Sequence, residues 1–196
     1  MKTTFKISAL VLAFAGFALG AKAQTTSTST TTKTTTGPNG VVISIGADAG
    51  IPTGKLNDSY NWNIGGSVQA DIPVLPHQLF VTVNAGYNSF QAKNDIGATN
   101  IQLLPVKAGL KYFPISHFYI QGDAGAAFAL NKSDVGFDKS AAFVYAPQVG
   151  VQFPLGGKSY LDAGVRYEAS TKFSSVADNS KVNFFGLRVA YAFDTK

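Results

Sequence analysis

The chain has 196 residues, and only 14% of them are charged, against roughly 25% in an ordinary soluble domain. It carries 20 Gly, 15 Phe and 8 Tyr but no Cys, which excludes disulfide scaffolds, thiolate metal sites and cysteine nucleophiles. This length suits one domain, and the aromatic content excludes a disordered polyelectrolyte.

The chain opens with the layout of a secretory leader. Lys2 and Lys6 make a short basic start, an apolar run covers residues 7–19, and Ala21-Lys22-Ala23 supplies a small-x-small cleavage pattern. That run is well short of the roughly 20 residues a membrane-spanning helix needs. The organisation expected is a cleaved signal peptide over 1–23, a Thr-rich flexible tether over 24–40, and a folded β domain over 41–194. Loss of the leader removes Lys2, Lys6 and Lys22 and lowers the formal charge from +5 to +2, so nothing in the balance calls for nucleic acid.

After the tether, apolar residues alternate with small or polar ones at the two-residue period of a strand. The first strand sets Val41, Ile43, Ile45, Ala47, Ala49 and Ile51 against Ser44, Gly46, Asp48 and Gly50. The second sets Tyr60, Trp62, Ile64, Val68, Ala70 and Ile72 against Asn61, Asn63, Ser67, Gln69 and Asp71. The third runs from Leu79 to Asn88 and the fourth from Leu104 to Tyr112, with Lys107 and Lys111 on its polar parity. A fifth strand follows from Phe118 to Phe128 and a sixth from Phe143 to Phe153; the seventh runs from Leu161 to Ala169 and the eighth from Phe185 to Phe193. No amphipathic helix is expected after the leader.

Three connections are short and carry proline, at residues 73–77, 114–117 and 154–158; four are longer and polar, at 52–59, 91–98, 131–140 and 171–180. Short turns at one end and long loops at the other describe an up-and-down meander. An even strand number lets the last strand pair with the first and remove the free edges.

Charge placement decides which face of such a barrel is wet. Nine charges fall within strands, all on the less apolar parity: Asp48, Asp71, Lys107, Lys111, Asp123, Asp162, Arg166, Glu168 and Arg188. Facing inward, five acids and four bases neutralise one another in a narrow lumen, and the small residues beside them suit a tight interior. Strands of about 10 residues match a tilted membrane barrel. Aromatic residues collect near strand ends, as interfacial girdles do. Tyr60, Trp62, Tyr87, Tyr145, Tyr167 and Phe185 lie toward the long loops; Tyr112, Phe118, Phe153, Tyr191 and Phe193 lie toward the short turns. The expected fold is therefore all-β, an eight-stranded antiparallel up-and-down transmembrane β-barrel with lipid outside.

Four segments in order carry a family resemblance: Ile51-Pro52-Thr53-Gly54, Ala85-Gly86-Tyr87, Gly109-Leu110-Lys111-Tyr112-Phe113 and Gly164-Val165-Arg166-Tyr167. Together they resemble the outer-membrane-protein β-barrel domain family, similar in architecture to the small OmpA- and OmpX-type barrels. The resemblance covers residues 41–193 and implies a bacterial outer-membrane location. Residues 186–193 resemble the last-strand signal read by the barrel-insertion machinery, and Asp194-Thr195-Lys196 follow where many relatives end on an aromatic.

No catalytic set emerges. His77 and His117 both sit at short turns and read as turn residues rather than as a general base or metal ligands. Asp162 and Glu168 are six residues apart on one strand, which is ~20 Å at 3.3 Å per residue, too far for a glycosidase pair. Gly156-Gly157 reads as a turn with positive φ angles. Pro105 and Pro147 fall inside strands and are expected at bulges or breaks.

The expected function is non-enzymatic: a structural or surface-interaction barrel whose lumen is plugged by ion pairs, with neither cofactor nor metal. Arg166 is expected to pair with Asp162 or Glu168, with Arg188 sharing them, and Lys107 and Lys111 with Asp71 or Asp123. Its partners are then outer-membrane lipid, the insertion machinery, and an extracellular partner of the four long loops, with the barrel a monomer. The alternatives are a narrow pore or carrier for small solutes, and a soluble lipocalin-like binder.

Overall fold

The computed structural model describes residues 38–93, 99–174 and 180–196. The leader and most of the Thr-rich tether lie outside the described residues.

Eight strands form a closed barrel in sequence order: β1 (Val42–Pro52), β2 (Tyr60–Leu75), β3 (Leu79–Ala92), β4 (Ile101–Ile115), β5 (Phe118–Ala129), β6 (Ala141–Gly156), β7 (Ser159–Ser170) and β8 (Asn183–Asp194). Every neighbouring pair is antiparallel, and β1 closes against β8 from Val42↔Asp194 to Pro52↔Phe184. Two single helical turns ride on long connections, α1 (Leu56–Ser59) and α2 (Lys132–Val135). Among the described residues no helix is long and apolar enough to cross a membrane.

The two-residue period fixes the faces. Ile45, Ile64, Val83, Leu110, Ile120, Val149 and Val189 are each between 44% and 61% exposed on the outside. The alternate residues point into the barrel: Ser44, Gln69, Asn84, Gln121 and Gln148 are each at most 5% exposed. An apolar exterior around a polar interior is the arrangement of a barrel solvated by lipid. It overturns the soluble lipocalin-like alternative, which needs the opposite faces.

The strands run further than the hydrophobic alternation suggested, because the prolines at their short-turn ends do not stop them. Register shifts fall between Pro73 and Leu75, between Tyr112 and Ile115, and between Pro154 and Gly156. A proline cannot donate to the ladder, so the pairing bulges around it and resumes. Pro105 and Pro147 behave differently. Pairing skips from Ala85↔Val106 to Asn88↔Leu103, and from Tyr145↔Ala169 to Gln148↔Arg166, with the register unchanged. The ladder is interrupted on one side of each proline, but neither site is a bulge. On the other side Pro105 pairs with Ala127 and Pro147 with Gly122.

His77 and His117 have left-handed φ angles of 66° and 73°. In the first turn the Gln78 N–H donates to the Leu75 carbonyl at 3.0 Å, so Pro76 and His77 fill the two central positions as a type II turn requires. His117 is expected to tolerate Asn, which adopts left-handed φ readily, whereas His117→Val should cost about 1–3 kcal/mol. Urea unfolding of the two variants in lipid vesicles checks this order.

The barrel seam has its own clamp. The Asp194 carboxylate accepts hydrogen bonds from the Asn39 N–H at 2.9 Å, the Gly40 N–H at 3.1 Å and the Lys196 N–H at 2.9 Å. The Thr195 N–H donates to the Val41 carbonyl at 3.0 Å. Asp194 and Thr195 are thus tied to the start of β1, where sequence alone assigned them no contact.

Candidate functional site

The lumen is layered along the barrel axis. At the long-loop end Leu56, Tyr60, Phe90, Ile101, Leu103, Val144, Phe173, Val182 and Phe184 pack into one buried apolar cluster. Phe90 and Phe184 meet edge-on with centroids 5.2 Å apart. At the short-turn end Phe80, Phe113 and Tyr119 form a second cluster, Phe80 and Phe113 also meeting edge-on at 5.7 Å. These inward aromatics obey the same parity as the lumen charges. Their signal was present in the alternation, but a face judged by its polar members does not advertise them.

Between the clusters lie the nine strand charges, none more than 7% exposed. Lys107 Nζ donates to Glu168 Oε2. Lys111 Nζ lies 2.8 Å from Asp162 Oδ2 and 3.0 Å from Asp71 Oδ2. Arg166 Nη1 is 2.9 Å from Asp48 Oδ1, and its Nε is 3.6 Å from Glu168 Oε2. Arg188 Nη1 is 3.7 Å from Asp162 Oδ1, while its Nε and Nη2 donate to Ser67 Oγ at 2.9 Å and Ser44 Oγ at 3.0 Å. Asp123 accepts from Thr82 Oγ1 and from Gln121 Nε2, each at 2.7 Å.

Most of these contacts cross the lumen instead of following the ladder. Asp48 and Arg188 are register partners, yet Asp48 is met by Arg166 from β7, two strands away. Lys107 and Lys111 reach from β4 past β3 or across to β7. In a barrel this narrow, inward side chains converge on the axis, so a long cation meets carboxylates from several strands.

Tyr119 joins the two short-turn layers. Its hydroxyl donates to Asp162 Oδ1 at 2.7 Å and accepts from Gln148 Nε2 at 2.8 Å. The Lys111 ammonium sits 4.1 Å from the centre of its ring, a cation–π contact in a desolvated setting. The ring lies over Gly150 and Gly164, which are paired across β6 and β7. A Cβ on Gly150 would stand 2.4 Å from the tyrosine ring.

The aromatic residues read as girdles separate into two groups. Trp62, Tyr87, Tyr112, Tyr145, Tyr191 and Phe193 are each 41–49% exposed on the outer face, and Phe185 is 53% exposed. Phe118, Phe153 and Tyr167 are half-buried there, with Tyr167 against Phe185 at 5.0 Å and Phe153 stacked on His117 at 6.2 Å. Tyr60 is a correction. A register shift between Tyr60 and Trp62 turns its ring inward, where it is 8% exposed and donates its hydroxyl to the Thr99 carbonyl at 2.9 Å.

Among the described residues no group of three or more His, Asp or Glu side chains is placed to hold a metal ion. Four of the five lumen acids are ion-paired with the four bases, and the fifth, Asp123, is held by the hydrogen bonds from Thr82 and Gln121.

A family model for the outer membrane protein beta-barrel domain matches residues 8–193. The chain belongs to this family. Membership places it in the bacterial outer membrane, with lipid against the apolar exterior. The fold is shared with solved barrels of low sequence similarity. Neisserial surface protein A matches with a TM-score of 0.54 and 17% identity, covering 81% of this chain and 99% of that one. Ail, the attachment invasion locus protein of Yersinia pestis, matches at 0.50 and 18%, covering 80% and 99%. OprG from Pseudomonas aeruginosa matches at 0.50 and 14%, covering 80% and 97%. No curated protein matches the chain in sequence.

Proposed function

We propose that this protein is a non-conducting, non-enzymatic outer-membrane barrel that displays its four long loops outside the cell. The observation that carries the reading is the filled lumen: cross-barrel ion pairs at the middle, with Phe90 and Phe184 above them and Phe80, Phe113 and Tyr119 below. Buried charges persist only when paired and hydrogen-bonded, so this layer is built to stay shut rather than to open for solutes. Short turns on the periplasmic side put both termini in the periplasm, and the exposed aromatics serve as interfacial anchors.

Export by a cleaved leader belongs to this reading, so the mature protein recovered from membranes should begin at Gln24. Orientation is tested by treating intact Gram-negative cells with a membrane-impermeant amine reagent. Lys132 and Lys139 in the third long loop should be modified, and Lys158 at a short turn should be spared until the cells are lysed. Labelling of Lys158 first would reverse the topology and remove the display role.

A further inference from the structure

A cavity of about 160 Å³ opens at the long-loop end of the barrel, lined by Lys55, Leu56, Ser59, Tyr60, Ile101, Val135, Phe137, Ser180, Lys181 and Val182. Its floor is formed by buried side chains: Leu56, Tyr60, Ile101 and Val182 are each at most 8% exposed and belong to the upper lumen cluster. One wall is set by Phe137, whose ring stacks on Phe173 at 4.9 Å. Tyr60 brings no free hydroxyl, because its donor is spent on the Thr99 carbonyl.

Among the described residues the charged groups at the rim are two lysines and no carboxylate. Lys55 and Lys181 are both exposed, and neither ammonium makes an ion pair or hydrogen bond among the described residues. Three lysines elsewhere in the barrel are engaged: Lys93 Nζ donates to the Asn57 carbonyl at 2.7 Å, and Lys107 and Lys111 are salt-bridged. Buried apolar side chains beneath two uncommitted cations complement a molecule with one apolar and one anionic end. Size narrows the class, since an apolar cavity of about 150 Å³ accommodates a benzene ring.

We propose that this cavity binds a small aromatic or short-chain carboxylate, its apolar part on Leu56, Ile101 and Val182 and its carboxylate between Lys55 and Lys181. The proposal adds a ligand to the loop end and does not depend on which way the barrel faces.

The test is a fluorine NMR titration of 4-fluorobenzoate against the mature full-length protein in zwitterionic nanodiscs, with empty nanodiscs alongside. Saturable broadening is expected only with protein present. Lys55→Met with Lys181→Met keeps the side-chain stems but removes both charges, and should weaken binding about tenfold. Val135→Trp should fill the cavity from its loop side and abolish binding while the folded barrel keeps its gel mobility. Neutral 4-fluorobenzyl alcohol should bind more weakly than the carboxylate. Equal broadening with empty nanodiscs would overturn the proposal, as would binding that survives both the double-lysine and the tryptophan variants.

Discussion

Replacing Asp162 with alanine is expected to cost about 3–5 kcal/mol of barrel stability, the range found when one partner of a buried ion pair is removed. Four groups converge on this carboxylate: Lys111 at 2.8 Å, the Tyr119 hydroxyl at 2.7 Å, Gln152 Nε2 at 3.4 Å and Arg188 at 3.7 Å. Without it Lys111 keeps Asp71 at 3.0 Å, but Arg188 is left with two serine hydroxyls and no ion pair among the described residues. Asp162→Asn preserves an oxygen for Tyr119 and removes only the charge, so its loss should be intermediate. The urea midpoint of the protein folded in lipid vesicles reads all three forms. A loss under about 1 kcal/mol for the alanine variant would place the network in the class of exposed pairs, against its burial.

Gly150→Ala is the second large effect. The added methyl carbon would stand 2.4 Å from the Tyr119 ring and hydroxyl and 2.7 Å from the Ala163 carbonyl oxygen. Overpacking of this kind costs about 1–3 kcal/mol, and here it also pushes Tyr119 off Asp162, which adds the cost of a broken charged hydrogen bond, about 1.5–3 kcal/mol. A cycle with Tyr119→Ala separates the two sources. In that background the glycine substitution should cost less, though not nothing, since the backbone contact to Ala163 remains. Additive losses would mean that Tyr119 and Gly150 do not act as one joint.

The strand order, the two faces and the inward turn of all nine strand charges were legible because a closed barrel converts a two-residue period directly into inside and outside. What was not legible depends on three-dimensional convergence or on local slips of register. Arg166 reaches Asp48 and Lys107 reaches Glu168 across the lumen, and no ladder rule relates those strands. Tyr60 follows the parity of Trp62 in the sequence but lies beyond a register shift, so one extra residue reverses its side. The apolar ends of the lumen were hidden for another reason. Phe113 and Phe184 sit on the polar parity just beyond the expected strands, and Phe80 at the very start of the third, where prolines and loop residues blur the strand limits. Asp194 was legible only as the last residue of the β domain, yet its carboxylate gathers three backbone N–H groups at the seam.

A lumen closed by cross-barrel ion pairs and capped by aromatic clusters makes one direct electrical prediction. Purified mature protein, incorporated into a planar bilayer in its folded, heat-modifiable form, should leave the baseline flat across the voltages at which porins conduct. Reproducible discrete conductance steps that depend on the protein would contradict the sealed lumen and put a solute pathway in its place.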